Sequence, residues 1–93
     1  PNTLALADAN KFIKLDNGSA NVTTIPPNSS VAFPTGTRIE ITQSNSGQSQ
    51  VVAGSGVTLR AAGGASKLSA QYAQATLLKV ATDEWYLFGS ITT

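Results

Sequence analysis

The 93-residue chain contains no cysteine and no histidine. Without cysteine it can form neither a disulfide framework nor a thiolate metal site. Small secreted modules of eukaryotes usually carry disulfides, so this absence favours a bacterial or viral origin. The commonest general base and the commonest thiol nucleophile of enzymes are both missing. These absences predict a protein that is not an enzyme.

Charge is also scarce in this sequence. Lys, Arg, Asp and Glu make up 12% of the residues, about half of the usual share of about 25%. The 6 basic and 5 acidic residues are dispersed and give a net charge of +1. Because no basic patch is present to bind phosphates, we expect no nucleic-acid binding. The scattered carboxylates likewise predict no metal site and no metal cofactor.

Two carboxylates are adjacent, at Asp83 and Glu84, in a polar break between two apolar runs. Paired carboxylates perform acid–base chemistry in glycosidases, but these two fall at the tip of a predicted hairpin, where water surrounds both. We therefore interpret them as turn residues. Glu40 lies on the predicted outer face of a strand, where we expect an ion pair with Arg38 or Lys79.

Long hydrophobic runs are absent too. No apolar stretch approaches the ~20 residues needed to cross a membrane, and no signal peptide opens the chain. The length predicts a single domain over 1–93 that buries roughly 60–65% of its unfolded surface. Since the chain begins at Pro1 rather than Met, we expect a fragment or a processed product of a longer protein.

Uncharged polar residues replace the missing charge: 10 Ser, 11 Thr, 6 Asn and 5 Gln. Such a surface is typical of extracellular or virion-surface β proteins. Short strand-like runs recur every 8–12 residues between turn signals, which predicts a small antiparallel β-sandwich or compact barrel of about eight strands. Before the last hairpin, the predicted strands occupy 11–15, 21–25, 30–33, 38–43, 50–53, 57–60 and 66–70.

The last hairpin, over 76–91, is apolar on both faces. Strand alternation places Trp85, Leu87 and Ile91 on one face, and Tyr86 and Phe88 on the other. One small domain has a single core, so the second face needs another partner, and we expect that partner to be another copy of the chain.

The candidate oligomer interface therefore contains Tyr86 and Phe88, together with Tyr72 and Leu77. Ile39 and Ile41 alternate with polar residues and are predicted to pack within one chain. The aromatic residues also permit a different interpretation, in which they stack on a sugar ring while neighbouring amides and hydroxyls bind its rim.

Three blocks of sequence resemble a known family. In order they follow the patterns apolar-Pro-Pro … Phe-Pro-x-Gly-Thr-x-Ile … Gln, Gly-x-Gly-Val, and Ala-Thr-Leu … Trp-x-Leu-x-Gly, at 25–43, 54–59 and 72–89. The segment 6–13 also fits the lead-in strand of that family. With these blocks the chain resembles a small β module that recurs in virion proteins of tailed bacteriophages, often at the end of tail-fibre, tail-spike or related appendage proteins.

The resemblance implies a structural protein of the virion surface, usually a homotrimer, with no catalytic motif and no cofactor. Its partners would be copies of itself and other virion proteins, and a tail fibre or similar appendage could take part in host attachment. Two alternatives stay open. One is a receptor-binding, lectin-like domain for bacterial surface polysaccharide, and the other is a capsid-decoration or head-fibre protein.

Overall fold

The computed structural model describes residues 2–93, which form ten strands and two short 3-10 turns. The strands are β1 (Asn2–Thr3), β2 (Phe12–Leu15), β3 (Asn21–Ile25), β4 (Arg38–Gln43), β5 (Ser49–Ala53), β6 (Thr58–Arg60), β7 (Lys67–Leu68), β8 (Gln74–Ala81), β9 (Glu84–Gly89) and β10 (Ile91–Thr92). The 3-10 turns cover Leu6–Asp8 and Ala62–Gly64. No helix in this part of the chain is long and apolar enough to cross a membrane.

The strands form two mixed five-stranded sheets that pack on each other. Sheet A has the order β1-β3-β5-β7-β10, and sheet B has the order β2-β4-β8-β9-β6. The predicted small all-β sandwich is therefore confirmed. The predicted antiparallel pairing is wrong for four of the strand pairs, namely β1–β3, β2–β4, β3–β5 and β6–β9, which are parallel.

Three of the parallel pairs follow from the path of the chain. From β1 to β8 each strand lies in the opposite sheet from the one before it. From β1 to β5 the chain crosses to the other sheet and returns in its original direction, so β1–β3, β2–β4 and β3–β5 are parallel, whereas β5 and β7 pair antiparallel after the crossing through β6. The sequence pattern shows where strands begin and end, but it does not show which strands become neighbours.

The core lies between the two sheets. Ile39 and Ile41 of β4 are fully buried, as predicted, and their neighbours on β8 are Leu77 and Ala75. Burial of these side chains is the main favourable term in folding the domain. The other buried apolar side chains of the core are Leu4, Leu15, Ile25, Phe33, Val51, Leu68, Ala73, Trp85 and Leu87.

The predicted terminal hairpin is confirmed for β8 and β9, but the placement of Ile91 on the face of Trp85 and Leu87 is wrong, because Ile91 lies on β10 in sheet A. Strands β8 and β9 pair antiparallel and are joined by Thr82 and Asp83. Trp85 and Leu87 point into the core, whereas Tyr86 and Phe88 on the same strand stay exposed. The hairpin thus presents one apolar face to the core and a second apolar face to the outside.

The segment 26–37 is the longest stretch without a strand in the described part of the chain. A strand is predicted over 30–33, but this is wrong, because Ser30 ends a turn and residues 31–33 continue as irregular backbone. Pro26, Pro27 and Pro34 flank the run, and a proline cannot donate to a ladder. The segment instead brings the buried Phe33 ring against Trp85, edge to face, with 5.4 Å between the ring centroids.

Candidate functional site: the outer face of sheet B and the buried lysine beneath it

The outer face of sheet B carries an apolar row between β8 and β9. Leu78 of β8 lies directly opposite Tyr86 of β9, and Thr76 lies opposite Phe88. Tyr86 and Phe88 are 43% and 44% exposed, and Leu78 is half-buried. We call Leu78, Tyr86 and Phe88 the aromatic face.

A row of paired residues runs across the outer face of sheet B from the aromatic face to the edge strand β2. From Phe88 it passes through Thr76 of β8 and Glu40 of β4 to Phe12 of β2. Neighbouring strands lie about 4.8 Å apart, so Phe12 is roughly 14 Å from Phe88 along the row. Phe12 is 57% exposed and stands apart from the aromatic face.

Two of the four predicted interface residues lie on the aromatic face, namely Tyr86 and Phe88. The prediction for Leu77 is wrong, because Leu77 is completely buried opposite Leu87 and its outward neighbour is Leu78. Tyr72 is 76% exposed, but it lies in the turn before β8 with a φ of 70°. Its N–H donates to the Gln43 carbonyl at 2.6 Å, which places Tyr72 at one end of sheet B.

Charged groups lie around the aromatic face rather than within it. Arg60 Nε and Glu84 Oε2 form an ion pair at 2.6 Å. Glu40 was expected to pair with Arg38 or Lys79, and this is wrong. Its carboxylate instead accepts a hydrogen bond from Thr76 Oγ1 at 2.7 Å, because Thr76 is its direct neighbour on β8.

A shallow groove of about 320 Å³ borders the aromatic face. The groove lies at the end of β6, where Arg60 pairs with Tyr86 of β9. The rings of Tyr86 and Phe88 therefore lie beside the Arg60 guanidinium group. Its lining residues are Arg60, Ala61, Ala62, Tyr86, Leu87 and Phe88.

Below sheet B lies a buried lysine, which sequence reasoning placed on the surface. Lys79 is 2% exposed and follows Leu77 on the inward side of β8. Its Nζ donates to Asn28 Oδ1 at 2.7 Å and to the Phe33 carbonyl at 2.6 Å. Lys79 is two residues from the buried Leu77, so strand alternation could have placed it on the inner face of β8. Both of its hydrogen-bond acceptors, however, come from the distant segment 26–37.

A carboxylate lies next to this pair. Asp83 Oδ1 accepts a hydrogen bond from the Asn28 N–H at 2.8 Å. Asp83 therefore anchors the segment 26–37 to the tip of the hairpin, beyond its predicted role as a turn residue. Trp85, the neighbour of Lys79 on β9, and Phe33 supply the aromatic rings nearby.

Within residues 2–93, no group of three or more carboxylate, cysteine or histidine side chains is arranged to hold a metal ion. The chain matches no protein-family profile, no curated protein and no solved structure. No relative's activity can therefore be carried over to it.

Proposed function

We propose that the protein is a non-enzymatic structural module that assembles copies of itself through the aromatic face. The observation that carries this proposal is the exposure of Tyr86 and Phe88 next to Leu78 on a regular sheet. Monomeric proteins rarely expose contiguous apolar patches, whereas aromatic residues are enriched in the buried centres of interfaces. Burial of this face against a second copy would remove both rings from water.

The charge distribution supports contact between identical faces. Two copies bring like charges together wherever a charged residue lies near the symmetry axis, and such contacts are unfavourable. The middle of the aromatic face is uncharged, and the charges lie at its borders, where Arg60 is paired with Glu84 and Arg38 lies opposite Leu78. Self-association therefore meets no unpaired charge at the centre of the contact.

The setting we propose is the surface of a bacteriophage virion, in a tail fibre or similar appendage, with three copies in the assembly. This part of the proposal rests on the resemblance carried by 25–43, 54–59 and 72–89. The same assembly would equally serve a capsid-decoration or head-fibre protein.

A second function is favoured by the groove beside the aromatic face. Tyr86 and Phe88 stand next to Arg60 there, and the groove is open to solvent. Aromatic rings stack on the apolar faces of sugars, and a guanidinium group donates several hydrogen bonds. The alternative is a lectin-like domain that binds bacterial surface polysaccharide at this groove.

Sedimentation equilibrium tests the assembly. The wild-type domain should sediment at about three times its 9.5 kDa chain mass. Tyr86→Ser and Phe88→Ser should shift the mass towards 9.5 kDa while the β-sheet circular dichroism is retained. Phe12→Ser is the matched control, because Phe12 is exposed on the same sheet but lies outside the aromatic face, and it should leave the assembly intact.

The outcomes separate the two functions. A wild-type monomer at micromolar concentration would refute assembly. If that monomer binds polysaccharide from the host surface and loses the binding on Tyr86→Ser, the lectin function replaces the structural one. Assembly that survives both aromatic substitutions would place the interface on a different face.

A further inference from the structure

The pair formed by the buried Lys79 and the half-buried Asn28 combines an amine with a side-chain amide. The amine is 2% exposed and lies 2.7 Å from the amide oxygen. With a C=O bond of about 1.2 Å and an angle of about 120° at the oxygen, Nζ stands about 3.5 Å from Cγ, on the oxygen side of the amide. Rotation of the half-buried Asn28 side chain would turn its carbonyl carbon towards the amine, at the about 3–3.5 Å of a near-attack arrangement.

The surroundings of the amine are unusual for a lysine. Lysine side chains are almost never fully buried unless they are paired. Lys79 forms no ion pair, and the one ion pair in the described residues joins Arg60 and Glu84. A buried positive charge without a carboxylate partner is costly, and a reaction that converts it into a neutral amide would remove that cost.

We propose that Lys79 and Asn28 join in an intramolecular isopeptide bond. Asp83, whose carboxylate accepts the Asn28 backbone N–H at 2.8 Å, holds Asn28 in place against Lys79. The bond would connect β8 to the segment 26–37 and close roughly half of the chain into a covalent loop, in a domain that has no cysteine.

The reaction balances without any oxidant or co-reactant. The Lys79 ammonium group releases one proton to water at the solvent-facing side of the half-buried Asn28, and the freed lone pair on Nζ forms a bond to Cγ of Asn28. A second proton passes from Nζ to Nδ2, the Cγ–Nδ2 bond breaks, and ammonia leaves. The ammonia takes up a proton from water, so the products are a neutral amide and one ammonium ion.

The product fits the contacts already present. The new amide keeps one N–H on Nζ, and the Phe33 carbonyl 2.6 Å away can accept it. The amide oxygen of Asn28 is retained in the product. Assembly through the aromatic face neither requires nor excludes this bond, because Lys79 points to the opposite side of sheet B.

Mass spectrometry of the purified wild-type chain tests the bond directly. Loss of ammonia should lower the intact mass by about 17 Da relative to the sequence mass. Trypsin should then release a branched species in which the peptides 15–38 and 68–93 are joined, since a linked Lys79 is no longer a cleavage site. Lys79→Arg, which keeps the charge, should show the full sequence mass.

One control excludes a different loss of ammonia. The exposed Asn17-Gly18 pair can cyclise to a succinimide with the same mass change, but it gives an unbranched peptide. Asn17→Gln should therefore retain the loss and the branched species, and Asp83→Ala, which removes the acceptor that holds the Asn28 backbone, should slow both. A wild-type chain that keeps its full mass after prolonged incubation, or that loses ammonia only in an unbranched peptide, overturns the proposal.

Discussion

Replacement of Ile41 by alanine should destabilise the fold by about 3–4 kcal/mol. The Ile41 side chain is fully buried, and β4 is an inner strand, with Ile13 of β2 on one side and Ala75 of β8 on the other. The change removes three carbons at about 0.8 kcal/mol each, and a residual cavity of a few tens of Å³ adds about 1 kcal/mol more. Backbone pairing on both sides holds β4 in place, so the cavity cannot close by a strand shift.

Urea unfolding followed by Trp85 fluorescence measures this loss. Trp85 is the single tryptophan and is 1% exposed, so its emission reports on the core. All variants are compared at one protein concentration, because assembly makes apparent stability concentration-dependent. Arg38→Ala on the exposed face of the same strand is the control and should stay within about 0.5 kcal/mol of wild type. A loss below about 1 kcal/mol for Ile41→Ala would refute the role of β4 in the core.

Two further predictions concern a close backbone approach and the absence of catalysis. Gly47→Ala should lower Tm by roughly 10 °C, because an added Cβ would overlap the Ser19 and Asn17 carbonyl oxygens, whereas the matched change Gly18→Ala meets no atom and should move Tm by only a few degrees. Incubation with bacterial surface polysaccharide should release no reducing ends, since the chain has neither histidine nor cysteine and few carboxylates; release above a heat-denatured control would contradict the non-enzymatic proposal.

Local features of the fold could be predicted from local sequence. The alternation through Ile39 and Ile41 identified an inward face, and the polar break before Trp85 identified a hairpin. Both depend on residues that are close in sequence, and both are confirmed. The two faces of β9 could be assigned for the same reason, with Trp85 and Leu87 inside and Tyr86 and Phe88 outside.

Pairing between distant strands could not be predicted in the same way. Strand β3 pairs with β1 and β5, and turn residues near one strand carry no information about a neighbour 20 or more residues away. The run 30–33 has strand composition, but it forms no strand and prolines flank it. In this run the tertiary context, rather than the local strand propensity, determines the backbone conformation.

The candidate site was predicted in part. Tyr86 and Phe88 were identified because strand alternation makes a second apolar face visible. Leu77 was misplaced because its neighbour Leu78 is also apolar, so the pattern alone could not decide which of them faces outward. Lys79 was missed because its acceptors, Asn28 and the Phe33 carbonyl, are far away in sequence.

The alternation of strands between the two sheets also constrains the order in which the chain can fold. Only β8 and β9 are neighbours joined by a two-residue turn in residues 2–93, so only that pairing forms without closing a long loop. Every parallel pair must first bring together strands that are separated by a crossing to the opposite sheet. Because loop closure costs entropy before the contacts form, we expect the hairpin to form first and the parallel strands β1, β3 and β5 to add to the structure later.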